Sequence, residues 1–165
     1  VTAPASGPLN VHGTGLLLGD LGLLLQGPSG AGKSLLALEL LDRQALLGRP
    51  GYLVADDRVD LTATGGTLQM HAPATIAGLI ELRGRGIVER PFVPAAPLHL
   101  VVDLVDDLVR MLEEDQLSTD LLGVMLPRCP VPRRGVIDSA HQILLVSQAL
   151  RIVGDGAGPQ RQEIT

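Results

Sequence analysis

The chain has 165 residues, 45% of them apolar, and a formal net charge of −5. That length and apolar content suit one domain around one packed core, and the acidic balance argues against a non-specific nucleic-acid binder, which needs a basic face. Tyr52 and Phe92 are the only aromatic residues, so the core is aliphatic and an aromatic-stacking site for bases or sugars is not expected.

Residues 1–8 are small and Pro-rich, and residues 154–165 are rich in Gly and Gln; both read as flexible tails around a single domain over residues 9–153. Two aliphatic runs, Leu16-Leu17-Leu18 and Leu23-Leu24-Leu25, flank the turn residues Gly19-Asp20-Leu21-Gly22 and predict a β-hairpin. The second strand leads into a Gly-rich loop, and a helix is predicted from Lys33 to Leu47, stopped by Gly48 and Pro50. Tyr52-Leu53-Val54-Ala55 reads as a buried strand ending at Asp56-Asp57, and residues 59–64 and 67–71 form a second predicted hairpin about Gly65-Gly66.

Residues 76–88 are apolar with interleaved glycines and predict a helical turn followed by one irregular strand. A single strand is predicted over 98–104, and a long charged loop over 105–118. A further strand over 121–126 precedes a Pro/Arg-rich connector, in which Cys129 reads as an inert thiol. As the sole cysteine it has no internal disulfide partner. Residues 136–153 predict a closing amphipathic helix. No apolar run has transmembrane length and the N-terminus shows no signal-peptide pattern, so the expected compartment is the cytoplasm, with no membrane partner.

The chemistry concentrates at Gly27-Pro28-Ser29-Gly30-Ala31-Gly32-Lys33-Ser34. Strand, Gly-rich loop and helix in that order predict an α/β P-loop domain: the glycines let backbone N–H groups wrap a phosphate, Lys33 reaches the terminal phosphates and the Ser34 hydroxyl ligates Mg²⁺. Asp56 and Asp57 lie at the end of a buried strand, where an acid can hold Mg²⁺ or accept a proton. Strand alternation turns adjacent residues to opposite faces, so only one of the two is expected to point at the site. Asp103, after Leu100-Val101-Val102, competes for the metal role. Glu81, among aliphatics and near glycines, is a further candidate ligand. His12 has no partner legible in the sequence, and His71, His99 and His141 read as structural. Arg110 lies in the charged loop, where a guanidinium can swing onto a phosphate.

Taken together, His12-Gly13, the Gly27–Ser34 loop, Leu53-Val54-Ala55-Asp56-Asp57-Arg58-Val59 and the Glu81-Leu82-Arg83-Gly84-Arg85-Gly86-Ile87-Val88 segment resemble the catalytic domain of HPr kinase/phosphorylase. The resemblance covers about residues 9–150 and is similar to the short form lacking the family's N-terminal domain. It implies a P-loop core of the HPr kinase/phosphoenolpyruvate carboxykinase-like type, a mixed sheet with flanking helices. It also implies a bifunctional enzyme, which uses ATP or pyrophosphate with Mg²⁺ to phosphorylate a serine of an HPr-type phosphocarrier. The same enzyme removes that phosphate by attack of inorganic phosphate. Family members often form hexamers, so a homo-oligomer is implied.

By the same resemblance Lys33 binds phosphates, while Ser34, Asp56 and Glu81 serve the metal. Asp57 takes the serine proton, His12 is the active-site histidine, and Arg110 matches an arginine of a mobile loop. Arg85 departs from the aliphatic residue usual at its position, and Pro130-Val131-Pro132-Arg133-Arg134-Gly135 matches only loosely the family's Pro/Gly/Arg stretch that the resemblance links to dephosphorylation. The competing readings are a P-loop small-molecule kinase and a non-catalytic nucleotide-sensing module. A guanine reader of the Asn-Lys-x-Asp type is excluded because Asn10 is the only asparagine.

Overall fold

Three strands pair with β1 (Leu9–Leu18), and the rest of the sheet grows outward from them. β2 (Leu21–Gln26) returns antiparallel along one edge, after a two-residue turn at Gly19-Asp20. On the other edge β3 (Gly51–Ala55) pairs with residues 15–18, and β4 (Arg58–Thr64) pairs with residues 9–12. The computed structural model describes residues 8–156. Its other elements, in chain order, are α1 (Lys33–Leu46), β5 (Thr67–His71), β6 (Leu79–Leu82), β7 (Gly86–Glu89), β8 (Ala95–Leu98), β9 (Leu100–Val105), β10 (Ser118–Leu121), β11 (Val124–Pro132) and α2 (Ser139–Gly156).

The main sheet runs β10-β11-β9-β2-β1-β4-β5-β8, with β3 also on β1; β6 and β7 form a separate hairpin. β2 and β11 run parallel to β9 and the remaining pairs are antiparallel, so the expected mixed sheet with flanking helices is present. Alternation along each strand divides the core in two. Leu23, Leu25, Leu100 and Val102 join the cluster under α1 and α2, whereas Leu24 and Val101 join the cluster with Val59, Leu61, Leu68 and Met70. Neither α1 nor α2 contributes to that second cluster. The sheet instead curls until β8 lies against β2, where Gly22 N–H donates to His99 Nδ1 at 2.9 Å and His99 N–H donates to Gly22 O at 2.9 Å. His99 is thus a structural clamp, as its sequence reading held.

The helix ends follow from local chemistry. α1 closes in a Schellman motif: Gly48 is left-handed (φ 67°), its N–H bonds Ala45 O, and Arg49 N–H bonds Gln44 O. α2 opens on Asp138, whose Oδ1 accepts from His141 N–H at 2.9 Å. Buried Gln142 reaches from α2 to Pro132 O at 2.9 Å and ties the helix to the end of β11.

Four expectations need correction. Residues 76–88 form a hairpin, not one irregular strand, because Gly84 (φ 93°) and Gly86 (φ 107°) turn the chain between β6 and β7. The strand expected over 98–104 is broken at His99, where the chain leaves the curled layer as β8 and enters the main layer as β9. The strand expected over 121–126 is a hairpin, turned at Leu122-Gly123, both with positive φ (52° and 78°). The Pro/Arg-rich connector is the rest of β11. Arg133 N–H bonds Val105 O, so by alternation the missing N–H groups of Pro130 and Pro132 fall on the other edge, beyond the reach of β10. The predicted tails fall mainly outside the described residues; of the second, residues 154–156 continue α2.

The contact between layers at Gly22 is tight. A Cβ there would stand 1.6 Å from Pro97 O. Gly22→Ala should therefore destabilise the protein by about 3 kcal/mol or more; an unchanged urea midpoint would show slack between the layers. Cys129, buried with its Sγ–H directed to Leu145 O at 3.6 Å, has its thiol pushed up to about 11 by burial, partly opposed by Arg128. Its reaction with a thiol reagent near neutral pH should be at least roughly 100-fold slower in the native than in the urea-unfolded chain. Equal rates would contradict that burial.

Candidate active site

The Gly-rich loop leaves β2 and ends at Gly32, which is the left-handed N-cap of α1 (φ 97°, ψ 25°) and provides no side-chain cap. A side chain there would strain the backbone, and glycine avoids this. The first intrahelical bond of α1 is Leu36 N–H to Gly32 O, so the amides of Lys33, Ser34 and Leu35 have no helical partner. With no acid in the first turn, this end of the helix is suited to an anion. Lys33 folds back over the loop, its Nζ donating to Gly27 O at 2.7 Å and Pro28 O at 3.1 Å. Burial lowers its pKa from the usual 10.5, opposed by the charges of Asp57 and Asp56.

Asp56 is buried and hydrogen-bonded by three residues. Its Oδ1 accepts from Thr14 Oγ1 at 2.8 Å and from Ser34 Oγ at 2.8 Å. Its Oδ2 lies 3.0 Å from the same Ser34 hydroxyl and accepts from Glu81 N–H at 3.2 Å. The residue's carboxylate is therefore fixed by β1, α1 and β6 at once.

Asp57 faces the same cleft, contrary to the expectation from strand alternation. β3 stops at Ala55, and Asp57 takes a left-handed conformation (φ 69°) with its carbonyl accepting from Gly13 N–H at 3.1 Å. Asp tolerates this region better than most residues, and such strain tends to persist at functional sites. The turn sends one carboxylate down to Ser34 and leaves the other exposed, 3.4 Å from His12 Nδ1. The partner that the sequence did not reveal for His12 is Asp57.

A cleft of about 340 Å³ is lined by His12, residues 29–35, Asp56, Asp57, residues 81–83, Arg133 and Arg134. The candidate residues Lys33, Ser34, Asp56, Asp57, Glu81 and His12 all line it. Two do not. Arg110 is exposed in the loop after β9, outside the lining. Asp103 is instead ion-paired with Arg128, Oδ2 to Nε 2.5 Å. Three lining residues were not assigned a role from the sequence, Arg83, Arg133 and Arg134 on the cleft wall, and Thr14 supports the site from outside the lining, its hydroxyl beneath Asp56. The available signal was a basic pair next to Gly135, between a strand and a helix.

Ser34 Oγ, Asp56 and Glu81 offer hard oxygen donors of the type Mg²⁺ takes. Among the described residues no group of three or more His, Cys, Asp and Glu is placed to hold a metal.

The chain matches the family model of the HPr Serine kinase C-terminal domain over residues 6–151. It is 36% identical over 127 residues to the HPr kinase/phosphorylase of Bordetella pertussis, covering 69% of this chain and 39% of that protein. To the HPr kinase/phosphorylase of Clostridium tetani it is 30% identical over 136 residues, 75% of this chain and 42% of the relative. The chain thus spans about two fifths of the length of these relatives. Among solved structures it is similar to the Hpr(Ser) kinase/phosphatase from Coxiella burnetii, with a TM-score of 0.68, 26% identity, and coverage of 87% of this chain and 98% of that one. The family match takes in all eleven described strands and the helix that opens on the Gly-rich loop, and the chain belongs to the HPr serine kinase C-terminal domain family.

Proposed function

We propose that this chain transfers the γ-phosphoryl group of ATP to a serine hydroxyl of an HPr-type phosphocarrier protein, with pyrophosphate as an alternative donor. The reverse reaction is phosphorolysis of the phosphoserine by inorganic phosphate. The names of the relatives support the substrate class. The observation that carries the reading is an exposed carboxylate, Asp57, facing the same cleft as a helix start suited to an anion and a Ser–Asp pair.

In this reading residues 27–34 cradle the β- and γ-phosphates, and Lys33 exchanges its two carbonyl partners for phosphate oxygens. Ser34, Asp56 and Glu81 would hold Mg²⁺, which would supply neutralisation of charge on those oxygens. Asp57 accepts the proton of the attacking serine, and returns a proton to the serine oxygen in the reverse direction. His12 orients the Asp57 carboxylate. The forward reaction forms a serine O–P bond and breaks the bond from the γ-phosphorus to the bridging oxygen of ADP. Among the described residues no helix is long and apolar enough to cross a membrane, and a cytoplasmic setting with a phosphocarrier partner is part of the proposal.

Asp57→Asn should lower transfer to an HPr-type protein by roughly 10²–10⁴-fold while leaving ADP affinity within about twofold. Phosphoserine formed at an undiminished rate, read by mass spectrometry, would remove Asp57 from the role of base. A second test uses the lowered pKa of Lys33. Only the protonated amine attracts phosphate, and bound phosphate retains the proton, so nucleotide binding takes up protons as the free lysine titrates. Above about pH 8, where the nucleotide phosphates are already ionised, affinity should fall with rising pH before the usual 10.5 is reached. Lys33→Met should bind about 10–100-fold more weakly and lose that pH dependence. Calorimetry that finds the same slope in both proteins would contradict it.

A further inference from the structure

Leu35 and Leu82 each line two hollows. One is the phosphate cleft. The other is a groove of about 700 Å³ between α1, α2 and the β6–β7 hairpin, and no step described so far uses it. Two ion pairs tie its walls together. Arg90, just after β7, meets Asp42 on α1 through Nε at 3.1 Å and Nη2 at 3.4 Å, and Arg134, before α2, meets Glu39 on α1. The second pair stands at the border, since Arg134 lines the cleft and Glu39 lines the groove.

Between these charges the groove is aliphatic. Leu82, Ile143 and Leu144 face it, and Leu144 is 69% exposed. Apolar side chains gathered in an open hollow mark a surface that a ligand covers. The cleft gives the direction from which that ligand comes. Lys33 Nζ lies over the carbonyls of Gly27 and Pro28, so terminal phosphates belong over the loop, on the side that Asp57 faces. The Leu35 amide is the last of the unpaired donors at the start of α1. A phosphate chain that runs from Lys33 to that amide ends where the groove begins. Along the helix from Leu35, Glu39 lies about 6 Å further and Asp42 about 10 Å. That is the reach of a ribose followed by a base.

We propose that this groove receives the nucleoside of the phosphoryl donor, with the base against Leu82, Ile143 and Leu144 and the ribose beside Glu39. The inference deepens the phosphoryl-transfer reading and rests on it for the presence of a nucleotide. The Glu39 carboxylate has about four acceptor positions and Arg134 occupies one, so ribose hydroxyls donate to the others. Aliphatic side chains cover the faces of the base in a chain with only two aromatic residues, Tyr52 and Phe92, neither of which lines the groove. Pyrophosphate, which has no nucleoside, fills the cleft and leaves the groove open.

The test titrates the full chain, with Mg²⁺, against ADP and separately against pyrophosphate by calorimetry. Leu144→Glu, on the exposed side of α2, should weaken ADP binding at least about fivefold and leave pyrophosphate within about twofold. Methyl NMR of the wild-type chain gives a readout that does not depend on the folding of the variant. Saturating ADP should shift the Ile143 and Leu144 methyl signals, and saturating pyrophosphate should leave them in place. Equal losses for the two ligands, unchanged ADP affinity in the variant, or methyl signals that ignore ADP would overturn the groove. So would a variant that binds ADP normally but sediments as a smaller species, because a second copy of the chain would then be the occupant. Binding of pyrophosphate without ADP removes the groove alone. If neither ligand binds the wild-type chain, the phosphoryl-transfer reading fails and this inference falls with it.

Discussion

The Asp56 carboxylate accepts hydrogen bonds from Thr14 on β1, Ser34 on α1 and the Glu81 amide on β6, and it does so from a buried position. A charge removed from water is costly unless polar partners replace its hydration. Here the partners come from three elements far apart in sequence, so satisfying one side chain fixes the relative position of all three. The floor of the cleft is this arrangement. Moving α1, β1 or the β6–β7 hairpin independently would strip the carboxylate of a donor, and the cost of that loss keeps the walls in register.

The sheet provides the frame for this arrangement through β1. Its N-terminal half pairs with β4 and its C-terminal half with β3, so the chain passes from one to the other alongside a single strand. The gap between them contains Asp56 and Asp57, where the left-handed Asp57 breaks the pleat. An uninterrupted strand would have turned one of the two acids away from the cleft. The interruption turns a regular element into a site with two carboxylates of different character, one buried and hydrogen-bonded from three elements, the other exposed beside His12. This is the usual requirement when one acid serves a metal and another handles a proton.

Much of this was legible in the sequence. The Leu-rich runs about Gly19-Asp20, the helix stopped at Gly48 and the strand before Asp56 all carry strong local signals, and each element stands where its pattern placed it. The misread segments share a cause. At Leu122 an aliphatic residue occupies a left-handed turn position, so the turn lacked its usual residue type. At His99 the break between β8 and β9 depends on Gly22, distant in sequence, and periodicity cannot report such a contact. Prolines hid β11 because their placement on its unpaired edge follows from the length of β10. At the site, residue types identified Lys33, Ser34 and the aspartates. Thr14, Arg133 and Arg134 join them only through the tertiary fold, as does the pairing of His12 with Asp57.

The cleft draws its lining from residue 12 through residue 134, by way of β1, α1, the β3–β4 turn, the β6–β7 hairpin and the turn after β11. No supersecondary unit of the chain contains it whole. Long-range pairings of this kind form late, because loop closure must precede the contacts that reward it. A partly assembled chain therefore lacks the complete cleft, and under the proposed function the full ligand site belongs to the native state. Ligand free energy then adds in full to global stability, by RT ln(1 + [L]/Kd). Under the proposed function, resistance to unfolding rises with the concentration of the nucleotide bound in the cleft.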